Sequence, residues 1–238
     1  MLERLREHYE TKYAGAEEGR IVPHLRRPAD RFEAAVSALL ERPGGRYLEI
    51  GAGAGDIAAS VGDRFAGLVL TEVSAPRVEA LRRRFASHAA RVQVLLHDVE
   101  SGPMPLADGS VDAVALIAVV EHLVEPIAAL REIRRVLAPG GRLVIDTPNI
   151  AKWTRRLKLL AGRFPSTASL DEGLTTYERA ATDLHDEGHL HYFTFRSLAR
   201  LCRERAGFRS AEARGYGRTR LGGMWPALFS DVSLIATK

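Results

Sequence analysis

Cysteine is all but absent. Cys202 stands alone among 238 residues, so no intrachain disulfide can form. Lysine is nearly as scarce, and apart from Lys12, Lys152, Lys158 and Lys238 all of the 34 basic residues are arginines. They are scattered along the chain, and a formal net charge of +4 is small for this length. That distribution describes a solvated surface better than a phosphate-reading patch; no zinc-finger spacing, ribonucleoprotein aromatic motif or basic tract accompanies it, and nucleic acid is not expected as a partner. Long apolar runs are missing too. The longest, Val111 to Val120, falls well short of the roughly 20 residues that cross a bilayer and contains Asp112. The opening Met1-Leu2-Glu3-Arg4-Leu5-Arg6-Glu7 mixes charges and lacks the apolar heart of a signal peptide. Disulfide scaffolds, integral membrane proteins and secreted proteins are thereby disfavoured. With 46% hydrophobic residues, the expectation is one cytoplasmic globular domain over 1–238.

What is present in abundance is glycine at telling positions. Tyr47-Leu48-Glu49-Ile50 is a short apolar strand that runs into Gly51-Ala52-Gly53-Ala54-Gly55-Asp56. Residues without Cβ allow a sharp turn and a close ligand approach, and the following helix offers unpaired N–H groups. The spacing is G-x-G-x-G, whereas the dinucleotide fingerprint is G-x-G-x-x-G. Glu49, two residues before the first glycine, would repel a pyrophosphate and attract a cation.

Further segments follow in order. Leu68-Val69-Leu70-Thr71-Glu72 is a second apolar run ending in an acid, about 20 residues beyond the glycines, where a carboxylate grips ribose hydroxyls. Val92 to Asp98 is a third strand. Gly109 to Ala118 is a turn and a fourth strand, followed by Val119-Val120-Glu121-His122-Leu123. A helix from Leu130 to Val136, a Pro139-Gly140-Gly141 turn and the run Arg142 to Asp146 complete the series.

Together these segments resemble the class I S-adenosylmethionine-dependent methyltransferases, small-molecule type, near the methionine-biosynthesis and quinone O-methyltransferase groups. The resemblance covers most of residues 45 to 148. It implies a Rossmann-like α/β fold: a seven-stranded, mostly parallel sheet with an antiparallel C-terminal strand and helices on both faces. It implies S-adenosylmethionine as cofactor and S-adenosylhomocysteine as product. On that basis the cofactor contacts are Glu49, Gly51, Ala52, Gly53, Gly55, Glu72 and Val73, with Asp98 and Val99 at the adenine end and Ala118 after strand four. Alternating strands and helices bring the carboxyl ends of strands one to four to one edge, so these residues converge at one crevice.

Outside this core (45–148), residues 1–44 read as an N-terminal helical cap. It carries one stripe of Leu2, Leu5, Tyr9 and Tyr13 and another of Phe32, Val36, Leu39 and Leu40, the second capped by Asp30. Tyr9, Tyr13 and Arg20 are candidate ligand contacts, a packing aromatic or a solvated arginine being the stronger reading of each. Residues 149–195 form an acceptor-side insertion or lid. Ile150, Trp153, Leu157 and Leu160 make an apolar helical stripe opposite basic residues. It reads as a helix packed on its own domain with a solvated basic face, membrane-surface docking being the other reading. A long loop over 162–188 contains a short helix with Tyr177. Residues 196–238 supply the last helix and strands, with Thr194 as a helix cap and Cys202 as a buried, inert thiol.

Methyl transfer from a sulfonium requires alignment and exclusion of water more than side-chain chemistry. A hydroxyl acceptor benefits from a base, and His122, His189 and His191 are the catalytic candidates. His189 and His191 alternate along an extended segment and so point to opposite faces; no metal ligand is assigned. The expected reaction is in-line transfer to a hydroxyl, carboxyl or amine of a small-molecule acceptor. The alternatives are a methyltransferase of RNA or protein, a nicotinamide-dependent oxidoreductase, and a non-catalytic cofactor-binding module.

Overall fold

Leu68-Val69-Leu70 and Val111 to Ile117 are apolar with little alternation, as a parallel strand covered on both faces requires. A computed structural model describes residues 28–167, 188–217 and 219–238. Tyr9, Tyr13, Arg20, the stripe from Leu2 to Tyr13 and the loop helix around Tyr177 lie outside the described residues. The strands are β1 (Arg46–Ile50), β2 (Gly67–Glu72), β3 (Val92–Leu96), β4 (Val111–Ile117), β5 (Leu137–Thr147), β6 (Ser210–Arg214) and β7 (Val232–Thr237). They form one sheet in the order β3-β2-β1-β4-β5-β7-β6. The first five are mutually parallel, with Leu48 beside Val69 on one side and Val114 on the other. Only β7 runs against its neighbours, pairing antiparallel with both β5 and β6. The expected sheet is the observed one.

Helices cover both faces. Leu48, Val69, Val114, Leu116, Leu143 and Ile145 point into a core closed by α4 (Pro126–Val136) and α6 (Phe195–Arg200). Tyr47, Leu68, Leu70, Ala113, Ala115 and Val144 point the other way, onto α1 (Arg31–Leu40), α2 (Asp56–Val61) and α3 (Ala75–Arg84). This split follows from the period of two along a strand. Fully burying one such Leu, Ile or Val stabilises by about 1.5–3 kcal/mol, so the two cores fix the sheet rigidly between its helices. Asp30 caps α1 by accepting from Glu33 N at 2.9 Å, as expected. Thr194 caps α6 in a reciprocal pair with Ser197.

Three features depart from expectation. The strand β5 already begins at Leu137, ahead of the Pro139-Gly140-Gly141 turn, and its pairing with β4 shifts register between Val111 and Ala113. The helix after Thr194 stays α-helical only to Arg200, then widens into a π turn over Leu201–Arg205. The helix α5 (Trp153–Leu160) presents its apolar side outward, with Leu157 54% and Leu160 84% exposed. The cause is Arg155, whose guanidinium bonds Asp231 (3.1 Å) and the carbonyls of Asn149 (2.8 Å) and Ser166 (3.0 Å), which turns that face of the helix toward the protein. Two short helices, α7 (Arg220–Met224) and α8 (Pro226–Phe229), precede β7. Among the described residues no helix is long and apolar enough to cross a membrane.

Candidate functional site

The chain leaves β1 toward β2 on one side and returns through β4 on the other, so a crevice opens where the order reverses, at the carboxyl ends of β1 and β4. The glycine loop fills its floor. Gly51, Gly53 and Gly55 all have positive φ (+69°, +58° and +84°). A Cβ on Gly51 would lie 2.7 Å from Val119 Cγ2, and one on Gly55 would lie 2.8 Å from both Leu81 and Phe85. Gly51 therefore lets the loop touch the segment after β4, and Gly55 lets α3 close on it. Gly51 N and Ala52 N both donate to the Thr71 carbonyl at 3.0 Å, which splices the loop to β2.

Strands β2 and β3 each lead to a carboxylate at this edge. Glu72, the last residue of β2, accepts from Gly53 N (3.0 Å) with one oxygen and from Val73 N (2.8 Å) and Ser74 N (3.3 Å) with the other; Arg77 lies 3.9 Å away. Asp98, two residues beyond β3, is half-buried and accepts from Glu100 N at 2.9 Å, with Val99 buried beside it. Ala118 after β4 is the one non-glycine described with positive φ (54°); its N–H donates to the Asp146 carbonyl at 2.9 Å. Such strain in a residue with a Cβ persists only where the surroundings over-determine it.

Glu49 lies deeper than its expected role suggests. It shares the inward face of β1 with Tyr47, whose hydroxyl donates to it at 2.9 Å, and it is 4% exposed. Burial pushes its carboxyl up to about 8, held back by the Tyr47 hydroxyl and the Ala58 N–H in the first turn of α2. Glu49 thus sits beneath the loop, braced to the helix that follows it.

Sequence reasoning named Glu121 only within the run that follows strand four and did not place Asp146 in the site, yet both are 1% exposed at this edge. Burial raises Glu121, with Arg31 and His189 countering in part, and neither carboxylate oxygen makes a hydrogen bond. Burial raises Asp146 well above the usual range despite Arg31, 3.6 Å away, and the Tyr216 hydroxyl, which donates to it at 3.3 Å. The findable signal was positional: ends of parallel strands four and five are equivalent to the ends of one to three.

The histidines are placed by the segment 188–193. Leu190 N and His191 N donate to the Glu121 carbonyl at 2.8 and 3.1 Å, and Phe193 bridges to Asn149. His189 is thereby brought to His122, with ring centroids 4.7 Å apart. Nδ1 of His122 lies 2.7 Å from the Gly188 carbonyl; since a carbonyl only accepts, that nitrogen carries a proton. Nδ1 of His189 lies 2.6 Å from the Thr167 hydroxyl. His191 turns elsewhere, its Nε2 3.4 Å from the Val124 carbonyl. The expected divergence of His189 and His191 is observed, while Glu121, His122 and His189 are brought together. Cys202 is fully buried and, through burial, its thiol is raised to about 12, so it is inert.

Beyond β5 a recess of about 320 Å³ is lined by residues that include Phe32, Tyr216, Phe229 and Asp231. Asp231 is gripped by Arg155 (3.1 Å), Lys152 (3.5 Å) and Arg31 (3.9 Å). Burial acts to raise it, but these cations hold it below the usual carboxylate range.

A row of acids over a glycine cradle suits a cationic nucleoside and opposes a pyrophosphate; the residues fit S-adenosylmethionine, with its ammonium and sulfonium. Comparison with known proteins agrees. A family model described as a methyltransferase domain matches residues 48–145. An uncharacterised methyltransferase of Mycobacterium tuberculosis is 31% identical over 179 residues, which span 72% of this chain and 69% of that protein. A demethylmenaquinone methyltransferase of Thermus thermophilus is 34% identical over 113 residues, 47% of this chain and 50% of its own length. Among solved structures, one described as the [4+2]-cyclase SpnF superposes with a TM-score of 0.60 at 20% identity, over 98% of this chain and 92% of that one. Likeness at that identity speaks for the fold alone. Kinship over two thirds of the mycobacterial protein speaks for more: this chain belongs to the class I S-adenosylmethionine-dependent methyltransferases.

Proposed function

We propose that this enzyme methylates a hydroxyl, carboxyl or amine of a small-molecule acceptor seated beyond the carboxyl ends of β4 and β5. The observation that carries the proposal is the pairing of His122 with His189 at 4.7 Å, next to Val119, which itself lies against Gly51 of the loop. S-adenosylmethionine supplies a methyl group already activated by its positive sulfur. Gly51 to Gly55 hold its amino-acid end, Glu72 and Val73 its ribose, and Asp98 and Val99 its adenine. The Nε2 of neutral His122 takes the proton of a hydroxyl acceptor, with His189 packed edge-on against that ring. A neutral amine needs neither histidine. The Thermus relative is named for demethylmenaquinone, a small molecule, which favours this acceptor class over RNA or protein.

The test is S-adenosylhomocysteine release from a panel of hydroxyl, carboxyl and amine compounds. With an accepted hydroxyl substrate, His189→Asn should lower turnover by about a hundredfold or more while cofactor affinity stays within about twofold. Undiminished turnover would remove His189 from the chemistry. Turnover confined to RNA or protein would overturn the acceptor class.

A further inference from the structure

Glu121 poses a physical problem. It is 1% exposed, and neither carboxylate oxygen has a hydrogen-bond partner. A buried carboxylate left without hydrogen bonds or a cation costs several kcal/mol, so such a group calls for a ligand that supplies positive charge at short range. Arg31 is close enough to act on it electrostatically but does not bond it.

We propose that Glu121, His122 and His189 form a binding site for a divalent first-row transition metal ion. One ligand atom from each lies within 4.8 Å of the others. Two ligands at roughly 2.1 Å on one tetrahedral ion stand about 3.4 Å apart, so the longest edge of the triangle needs to close by up to about 1.4 Å. Rotation of half-buried imidazoles supplies that much. The Nδ1–H of His122 donates to the Gly188 carbonyl, the kind of outer contact that orients a ligating imidazole. The Thr167 hydroxyl stands in the same relation to Nδ1 of His189. Two imidazoles and one carboxylate suit zinc, cobalt, iron, nickel or manganese better than magnesium or calcium, which take all-oxygen sets. Three protein ligands leave positions open for water or an oxygen of the acceptor; only this last point rests on the proposed function.

Ligation and proton removal use the same lone pair. Metal binding would therefore recast His122 and His189 from base to ligands, while its absence would leave the base role standing.

The test needs neither methyl donor nor acceptor. The untagged full chain is titrated with Zn(II) by calorimetry and with Co(II) by visible absorption. One equivalent should bind, with a Co(II) spectrum of low coordination number. His189→Asn and Glu121→Gln should each weaken binding by about tenfold or more, whereas His191→Asn, on the same segment but turned to Val124, should stay within about twofold. His189→Asn alters a half-buried side chain and keeps the test open should Glu121→Gln fail to fold. Absence of a stoichiometric site for either ion, or equal weakening by His191→Asn, would overturn the proposal.

Discussion

Glu49→Gln isolates the carboxyl beneath the glycine loop. Burial holds the Glu49 proton far more tightly in the folded protein than in the unfolded chain, pushing the carboxyl up to about 8 from its ordinary 4.5. A group raised in this way contributes stability that is fully present below the unfolded value and is lost as pH rises through the folded one. Each pH unit within that window costs up to about 1.4 kcal/mol, so from pH 5 to pH 8.5 the loss from Glu49 comes to about 2–4 kcal/mol. Glutamine keeps an oxygen that accepts from the Tyr47 hydroxyl and cannot ionise. Its new amide needs a partner, at a cost of about 1–3 kcal/mol that is independent of pH. Slope is therefore the readout, not absolute stability. Urea unfolding at several pH values should show Glu49→Gln gaining on the wild type by about 2–4 kcal/mol between pH 5 and pH 8.5. Glu121 and Asp146, also raised by burial, are present in both proteins and cancel. A stability difference that stays flat with pH would refute the claim that Glu49 is buried and protonated.

Gly55→Ala places a Cβ 2.8 Å from Leu81 and Phe85 at a φ of +84°. Left-handed strain and overpacking together predict a loss of about 2–4 kcal/mol in chemical denaturation, with cofactor binding impaired as α3 is pushed off the loop. Glu72→Gln removes a charge and keeps one acceptor oxygen, enough for Val73 N and Ser74 N, while its NH2 group faces the Gly53 N–H. Calorimetry should show S-adenosylmethionine binding about 10- to 100-fold more weakly, with a melting temperature lowered by less than Glu72→Ala lowers it. Glu72→Ala, by contrast, strands three backbone donors and should cost the loop its shape as well. Thr194→Ala deletes one half of the reciprocal cap on α6 and should lower stability by about 1 kcal/mol without touching cofactor affinity.

Local pattern carried the cofactor half of the molecule. Each strand run lies within a few residues of the acid or the alternate glycines that follow it, and rules of local geometry apply to each such segment directly. Glu72 and Gly53 are 19 residues apart, but both sit at ends of adjacent strands, so sheet topology alone brings them together. The acceptor half is different in kind. Arg155 turns α5 by reaching Asp231, 76 residues on, and the amphipathic stripe from Trp153 to Leu160 holds no record of that partner. Its apolar face was expected inward because burial of leucine is the stronger prior, and a guanidinium with two acceptor carbonyls and a carboxylate overrode it.

Glu121 shows where the two halves meet. Its position after β4 follows from strand order, and its burial follows from the segment 188–193 docking on its own carbonyl. That docking joins residues nearly 70 positions apart through backbone hydrogen bonds, which no side-chain motif encodes. The same docking carries His189 to His122 and closes the carboxylate off from water. One backbone clamp thus creates both the histidine pair and the unsatisfied charge beside it. A variant that loosens the clamp should relieve both at once: Gly188→Pro would restrict the backbone that presents its carbonyl to His122. In that variant Glu121 should titrate closer to an ordinary carboxylate and turnover should fall. Retention of both the raised Glu121 and full turnover would show that the clamp is not what holds them.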